Sequence, residues 1–196
     1  MKKANVIKIA YQGLEGSFSE AAAYVWAELE GFGNAELIPA RNARGVVKAV
    51  QAGLADFGIV GVLNSTSGVI GETQDTMEAV RHTRVASVVL PVVIYLFGLP
   101  GEGLAAVKAV YSHPASLYQC ENRLLKYLPD VDLMAAPTSA VAAMQLAAGE
   151  LPEGSAVLCS PRAGRIRNLE PLLCPANDSR VNETVFMAFR RPEGHH

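Results

Sequence analysis

Four short clusters of hydroxyl and amide side chains follow segments that read as strands. They are Gly13-Leu14-Glu15-Gly16-Ser17-Phe18-Ser19, Asn64-Ser65-Thr66-Ser67-Gly68, Ser112-His113-Pro114 and Pro137-Thr138-Ser139-Ala140. Such residues favour helix starts, where a side-chain oxygen takes up an orphan N–H. In open α/β sheets, ligands bind beyond the carboxyl ends of strands, where helix N-termini point unsatisfied N–H groups outward. Any one cluster reads most simply as a helix cap. Four of them at matching strand ends predict a shared site for a small anion, with the hydroxyls as directed donors. His113 is the only histidine at one of these strand ends and reads as a helix-entry residue rather than a general acid or base. Cys120, Cys159 and Cys174 read as small buried hydrophobes, since no activating base is identifiable near them. Gly13 and Gly16 form neither a dinucleotide fingerprint nor a phosphate loop.

The elements that must position these clusters alternate along the chain. Strands are expected at Val6–Tyr11, Glu36–Pro39, Phe57–Leu63, Ala109–Ser112, Val131–Ala135, Ala156–Cys159, Pro171–Cys174 and Thr184–Phe189. The apolar run Val85–Phe97 holds one or two central strands. Helices are expected at Ser17–Glu30 with Gly31 as a stop, Ala43–Ala52, Glu72–His82, Pro114–Tyr127 and Thr138–Ala148 with Gly149 as a stop. Strand-helix alternation of this kind predicts an α/β fold with mostly parallel sheets.

Of the 196 residues, half are apolar and 18% charged, a globular balance; the formal charge of −2 excludes a nucleic-acid partner that needs a basic surface. The longest apolar run, Val88–Leu99, is broken by Pro91 and is too short to span a bilayer, so no membrane association is expected. Three cysteines without CxxC spacing predict neither a disulfide framework nor a zinc site and fit a reducing cytoplasm. Met1-Lys2-Lys3 is followed by no apolar signal core, and residues 193–196 read as an expression-tag remnant.

In this order the clusters carry a family resemblance. Tyr11-Gln12-Gly13 through Gly16-Ser17-Phe18-Ser19 and Ala21-Ala22-Ala23, then Asp56–Val60 leading to Asn64-Ser65 and Gly68-Val69, resemble the first two motifs of the prephenate dehydratases. Tyr111-Ser112-His113-Pro114 with Gln119-Cys120 is similar to their Ser-His-Pro helix start. Thr138-Ser139-Ala140-Val141-Ala142-Ala143 resembles a third motif, and Asp178 with Asn182 through Thr184-Val185-Phe186 falls at the spacing of the closing Asp-x-x-x-Asn-x-Thr-Arg-Phe motif. The resemblance covers roughly residues 8 to 190. It implies a two-lobed fold like a type II periplasmic binding protein, with an interlobe cleft, lobe 1 about 1–81 plus 178–192 and lobe 2 about 82–177. It implies a lyase of phenylalanine biosynthesis that turns prephenate into phenylpyruvate, with no cofactor and no metal. Thr184 takes the catalytic role as a donor to the departing hydroxyl. Ser17, Asn64, Ser65, Ser112, Gln119, Thr138, Ser139 and Phe186 are the matching substrate-binding positions for a small dicarboxylate. A homodimer or larger assembly is expected as well.

Two positions depart from the family's pattern: Leu63 stands where it carries Glu before Asn-Ser, and Val185 where it carries Arg after the threonine. Joint replacement of a mutually supporting charge pair is one reading of this. Alternatives stay open: an arogenate dehydratase, a non-aromatising prephenate decarboxylase, or a non-catalytic carboxylate-binding protein. Retention of Thr184 counts against the decarboxylase. The chain ends just after the closing motif, so inhibition by phenylalanine through an ACT domain is not expected.

Overall fold

Strict alternation along Lys8–Gln12 (β1) sends Ile9 and Tyr11 to one face of a sheet and Ala10 to the other. The computed structural model describes residues 6–192; Met1-Lys2-Lys3 and the proposed tag remnant lie outside them. The chain forms two compact units, the first being residues 1–14, 18–91 and 183–196 and the second residues 15–17 and 92–182.

The first unit is built on a six-stranded sheet in the order β2-β1-β3-β11-β5, with β4 paired to β3. Its strands are β1, β2 (Glu36–Ala40), β3 (Phe57–Asn64), β4 (Gly68–Val69), β5 (Thr83–Pro91) and β11 (Glu183–Arg190). On one face α1 (Phe18–Leu29) buries Ala22, Ala23 and Trp26 against Ile9, Ile59, Val88 and Phe186. On the other, α2 (Ala43–Gln51) and α3 (Gly71–Glu78) cover Ala10, Val60, Met187 and Phe189. Asn42 caps α2 by accepting from Gly45 N–H, and Gly31 with φ 74° supplies the expected stop after α1.

In the second unit the order is β10-β6-β9-β7-β8. The strands are β6 (Tyr95–Gly98), β7 (Ala109–Ser112), β8 (Asp132–Ala135), β9 (Ser155–Cys159) and β10 (Glu170–Leu173). Every residue of β9 is buried, as a central strand covered on both faces must be. The helices are α4 (Pro114–Tyr118), α5 (Glu121–Tyr127), α6 (Ser139–Ala147) and α7 (Pro161–Arg165). Among the described residues no helix is long and apolar enough to cross a membrane.

Three expectations need correction. The sheets are mixed rather than mostly parallel: of the nine pairings among the described residues, four are parallel and five antiparallel. Helical crossovers join the strands of the parallel pairs, whereas β6 and β11 arrive by connections without a helix and are free to run back; β10 runs back against β6 after the short α7. Val85–Phe97 splits into β5, an edge strand of the first sheet, and β6, an interior strand of the second. The chain therefore passes between units at Pro91–Val92 and Asn182–Glu183, not near 82 and 178, because β5 is paired along its whole length with β11.

Candidate active site

Thr184, the second residue of β11, stands directly opposite Asn64, the last residue of β3, and both side chains are buried. Asn64 Oδ1 accepts from the main-chain N–H groups of Thr66 and Ser67, each at 2.9 Å. Main-chain N–H can only donate, so the atom facing it is the amide oxygen, and the other amide atom is the nitrogen. That nitrogen donates to the Glu183 carbonyl at 3.1 Å and to Thr184 Oγ1 at 2.9 Å. The threonine oxygen is thus held as an acceptor. Its own proton has no acceptor among the described residues and is left as a donor.

Ser65 completes this frame. Its N–H donates to the Glu183 carbonyl at 2.9 Å and its Oγ accepts the Glu183 N–H at 2.9 Å. Asn64 and Ser65 therefore fix the backbone on which Thr184 stands. A bulge next to this corner places Phe186 opposite Gly61 and leaves Val62 without a partner on β11. A Cβ added to Gly61 would lie 3.4 Å from both the Thr184 methyl and the Phe186 ring, so the bare backbone there makes room for both. Phe186 itself is 3% exposed within the core cluster under α1. There it packs with Ile9, Ile59 and Val88.

Leu63 and Val185 are also directly opposite each other, one residue before Asn64 and one after Thr184. Side chains alternate along a strand, so this pair lies on the face of the sheet away from the Asn64–Thr184 contact. Leu63 is 43% exposed and Val185 half-buried, so water reaches this pair.

A second polar group lies in the second unit. Ser112 ends β7 with its hydroxyl fully buried, 2.7 Å from the Leu158 carbonyl and 2.9 Å from Ser139 Oγ. The Ser112 hydroxyl faces both oxygens as donor, its single proton shared between the carbonyl and Ser139 Oγ. The Ser112 proton is therefore engaged within the protein. Thr138 caps α6, its Oγ1 accepting from Val141 N–H at 3.1 Å.

Gln119 is buried and accepts from Asn182 Nδ2 at 2.9 Å, while its carbonyl accepts from Asp178 N–H. Asp178 in turn accepts from Asn122 N–H at 3.1 Å and Arg123 N–H at 2.7 Å. The closing motif's Asp and Asn thus tie the segment leading to β11 onto the start of α5. This contact ends the helix expected over Pro114–Tyr127 after Tyr118 and starts a new one at Glu121. His113 caps α4, its Nδ1 accepting from Ala115 N–H at 3.2 Å, as its position predicts.

Ser17 immediately precedes α1, yet by its contacts segment 15–17 belongs with the second unit. Ser160 Oγ donates to the Gly16 carbonyl, and Arg167 donates to that of Glu15 at 3.2 Å. Gly16 has φ 92°, and a Cβ there would sit 2.6 Å from Ala163 Cα, so only glycine lets the loop lie against α7. Neither α7 nor Ser160 was evident in the sequence, although Ser160-Pro161 is a helix-start signal. Ser116 was missed too; its hydroxyl is 3.1 Å from Ser139 Oγ.

The thiols play no part in these groups. Burial pushes Cys120 and Cys159 up to about 12, keeping both neutral. Cys174 is exposed, contrary to the expectation of a buried residue, because β10 ends at Leu173 and the chain turns outward.

Comparison with known proteins was made against this geometry. The prephenate dehydratase family model matches residues 9–194. A prephenate dehydratase of Corynebacterium glutamicum is 29% identical, the match covering 95% of this chain and 61% of that protein. Arogenate dehydratase 5 of Arabidopsis thaliana is 33% identical over 95% of this chain but only 43% of its own length. The chain therefore spans less than two thirds of these relatives. Among solved structures, the prephenate dehydratase of Arthrobacter aurescens in complex with L-Phe superposes with a TM-score of 0.86 at 26% identity, covering 96% of this chain and 61% of that one. The matched span includes all four hydroxyl-rich clusters and the closing motif, and the chain belongs to the prephenate dehydratase family.

Proposed function

We propose that this chain catalyses the decarboxylative dehydration of prephenate to phenylpyruvate. The ring carboxylate leaves as carbon dioxide, its bonding pair completes the aromatic ring, and the ring hydroxyl departs with a proton as water. Gain of aromaticity drives the elimination, so the protein's work is to hold two carboxylates and help the hydroxyl leave. Thr184 is assigned that help. Its hydroxyl is too weak an acid to give its proton up freely, so it acts as a positioned donor to the oxygen as charge develops there. The carrying observation is the Asn64 amide at 2.9 Å, which occupies the threonine oxygen from behind and leaves the proton for the substrate. Hydroxyls of the second unit, Thr138 among them, are assigned to the carboxylates, and Gln119 and Ser17 to shaping that group.

The position of Leu63 and Val185 on the other face of the sheet supports retention of activity despite both replacements. Incubation of pure protein with prephenate, followed by phenylpyruvate absorbance, tests the reading. Thr184→Ala should lower kcat by about 10²–10³, the cost of one oxyanion-type donor, while Thr184→Ser keeps most of it. Arogenate assayed in parallel separates the two substrates carried in the relatives' names. A stable non-aromatic product would contradict the dehydratase assignment. Self-association into a homodimer or larger assembly is part of the same proposal, read by gel filtration with light scattering.

A further inference from the structure

The first sheet ends differently on its two sides. The edge at β2 is five residues long and contains Pro39, which has no N–H to offer. The other edge, β5, runs for nine residues, and its stretch from Val85 to Leu90 holds neither a charge nor a proline. One bond fixes which of its backbone groups are turned outward. Val92 N–H donates to the Asn182 carbonyl at 2.7 Å, in the same register that pairs Leu90 with Thr184, Val88 with Phe186 and Ala86 with Ala188. Hydrogen-bonded and non-hydrogen-bonded pairs alternate along an antiparallel ladder. Ala86, Val88 and Leu90 therefore face β11, while Ser87 and Val89 turn their N–H and C=O groups away from it. No strand among the described residues lies on that side.

Val89 also ends an apolar row. Val69, Leu63, Val185 and Val89 stand opposite one another in turn across β4, β3, β11 and β5, and Val89 is 55% exposed. A strand that satisfies this edge must offer a donor and an acceptor at each of two positions two residues apart, beside apolar side chains. β5 of a second copy does so. Run antiparallel about a two-fold axis at Val88, it sets each Ser87 opposite a Val89, each such pair exchanging both N–H···O bonds. The two Val89 side chains become diagonal neighbours on one face. Arg84, the one charged residue of β5, falls at opposite ends of the seam in the two copies, so like charges are kept apart. We infer that β5 is a self-association surface through which two copies join their first sheets edge to edge. This seam rests on the self-association proposed above and adds to it the strand that forms it.

Gel filtration with light scattering, over a range of protein concentrations, would compare wild type with Ser87→Pro, Val89→Lys and Leu29→Lys. Ser87→Pro removes an N–H that faces away from β11 and leaves the ladder between β5 and β11 whole. Val89→Lys sets like charges near each other across the seam. Leu29, 73% exposed on α1, serves as the control surface. Ser87→Pro and Val89→Lys should each raise the dissociation constant at least about tenfold, one backbone hydrogen bond being lost per copy in the first and charge repulsion added in the second. Leu29→Lys should assemble as wild type does. An oligomeric wild type whose mass Ser87→Pro and Val89→Lys leave unchanged overturns the seam alone, and so does equal dissociation of Leu29→Lys. A wild type that is a single chain at every concentration overturns the seam and the expected self-association together. Prephenate turnover by the same samples judges the dehydratase reading separately. Should Ser87→Pro melt well below wild type, Val89→Lys decides, since it leaves every backbone group in place: loss of the assembly supports the seam, and its persistence refutes it.

Discussion

The residue that decides most here is Asn64, because its amide has a direction. Two backbone donors fix the oxygen, so the nitrogen faces Thr184 and the threonine proton is expelled from its own hydrogen-bonding shell. Asn64→Asp tests this with almost no change of shape. The carboxylate still accepts from Thr66 and Ser67, yet it now also accepts from Thr184 and pulls the proton back. We expect kcat to fall by about 10²–10³, close to Thr184→Ala, with KM little altered, and the melting temperature to drop because the same oxygen now faces the Glu183 carbonyl without a proton to give it. A variant of normal kcat would show that the amide's orientation is irrelevant. Residue types and spacing pointed to Thr184, Asn64 and Thr138 correctly as members of polar groups. They could not show which oxygens are already engaged. Ser65 and Ser112 are engaged by backbone groups of Glu183 and Leu158, 118 and 46 positions away. No local pattern encodes that.

At the scale of elements, strands were legible from their β-branched runs and most helices from their caps. What failed were features set by distant contacts. The Pro114–Tyr127 segment reads as one helix, and only Asp178, accepting from the first turn of α5, makes it two. Asp178→Ala should cost about 1 kcal/mol of unfolding free energy, the usual loss for a helix cap, in a urea melt. Asp178→Asn should cost less. The same scale governs the cross-strand pair of Leu63 and Val185. With Leu63 43% exposed, a restored Glu–Arg pair is screened by water. Single and double replacements, Leu63→Glu and Val185→Arg, should couple by about 0.2–1 kcal/mol in melts, far below a buried charge pair. Coupling of several kcal/mol would mean that water does not reach the pair.

For the whole molecule, the α/β class was legible and the place where the chain changes unit was not, because β5 and β6 read as one apolar run. Each unit has its own sheet and core, and the two most buried thiols, Cys120 and Cys159, belong to the second. Their pKa values rise from the usual 9.0 to about 12 in the folded protein, mainly through desolvation. The folded state therefore holds these protons more tightly than the unfolded one. The resulting stability is fully present below pH 9 and is lost as pH climbs toward about 12. Above pH 9 each thiol should contribute a fall of about 1.4 kcal/mol per pH unit. Urea midpoints at pH 8 and 10 should drop less in the Cys120→Ala, Cys159→Ala double variant than in wild type; equal drops would remove the thiols as the cause. One feature of the first sheet also has a bearing on how the protein is made. β11, the last strand among the described residues, runs between β3 and β5 and bears Thr184. A ribosome delivers that strand after both neighbours, so they emerge and wait, unjoined, while the second unit is synthesised. A copy released before residue 183 would lack the seam of its sheet together with Thr184, and its open strand edges would expose it to proteases.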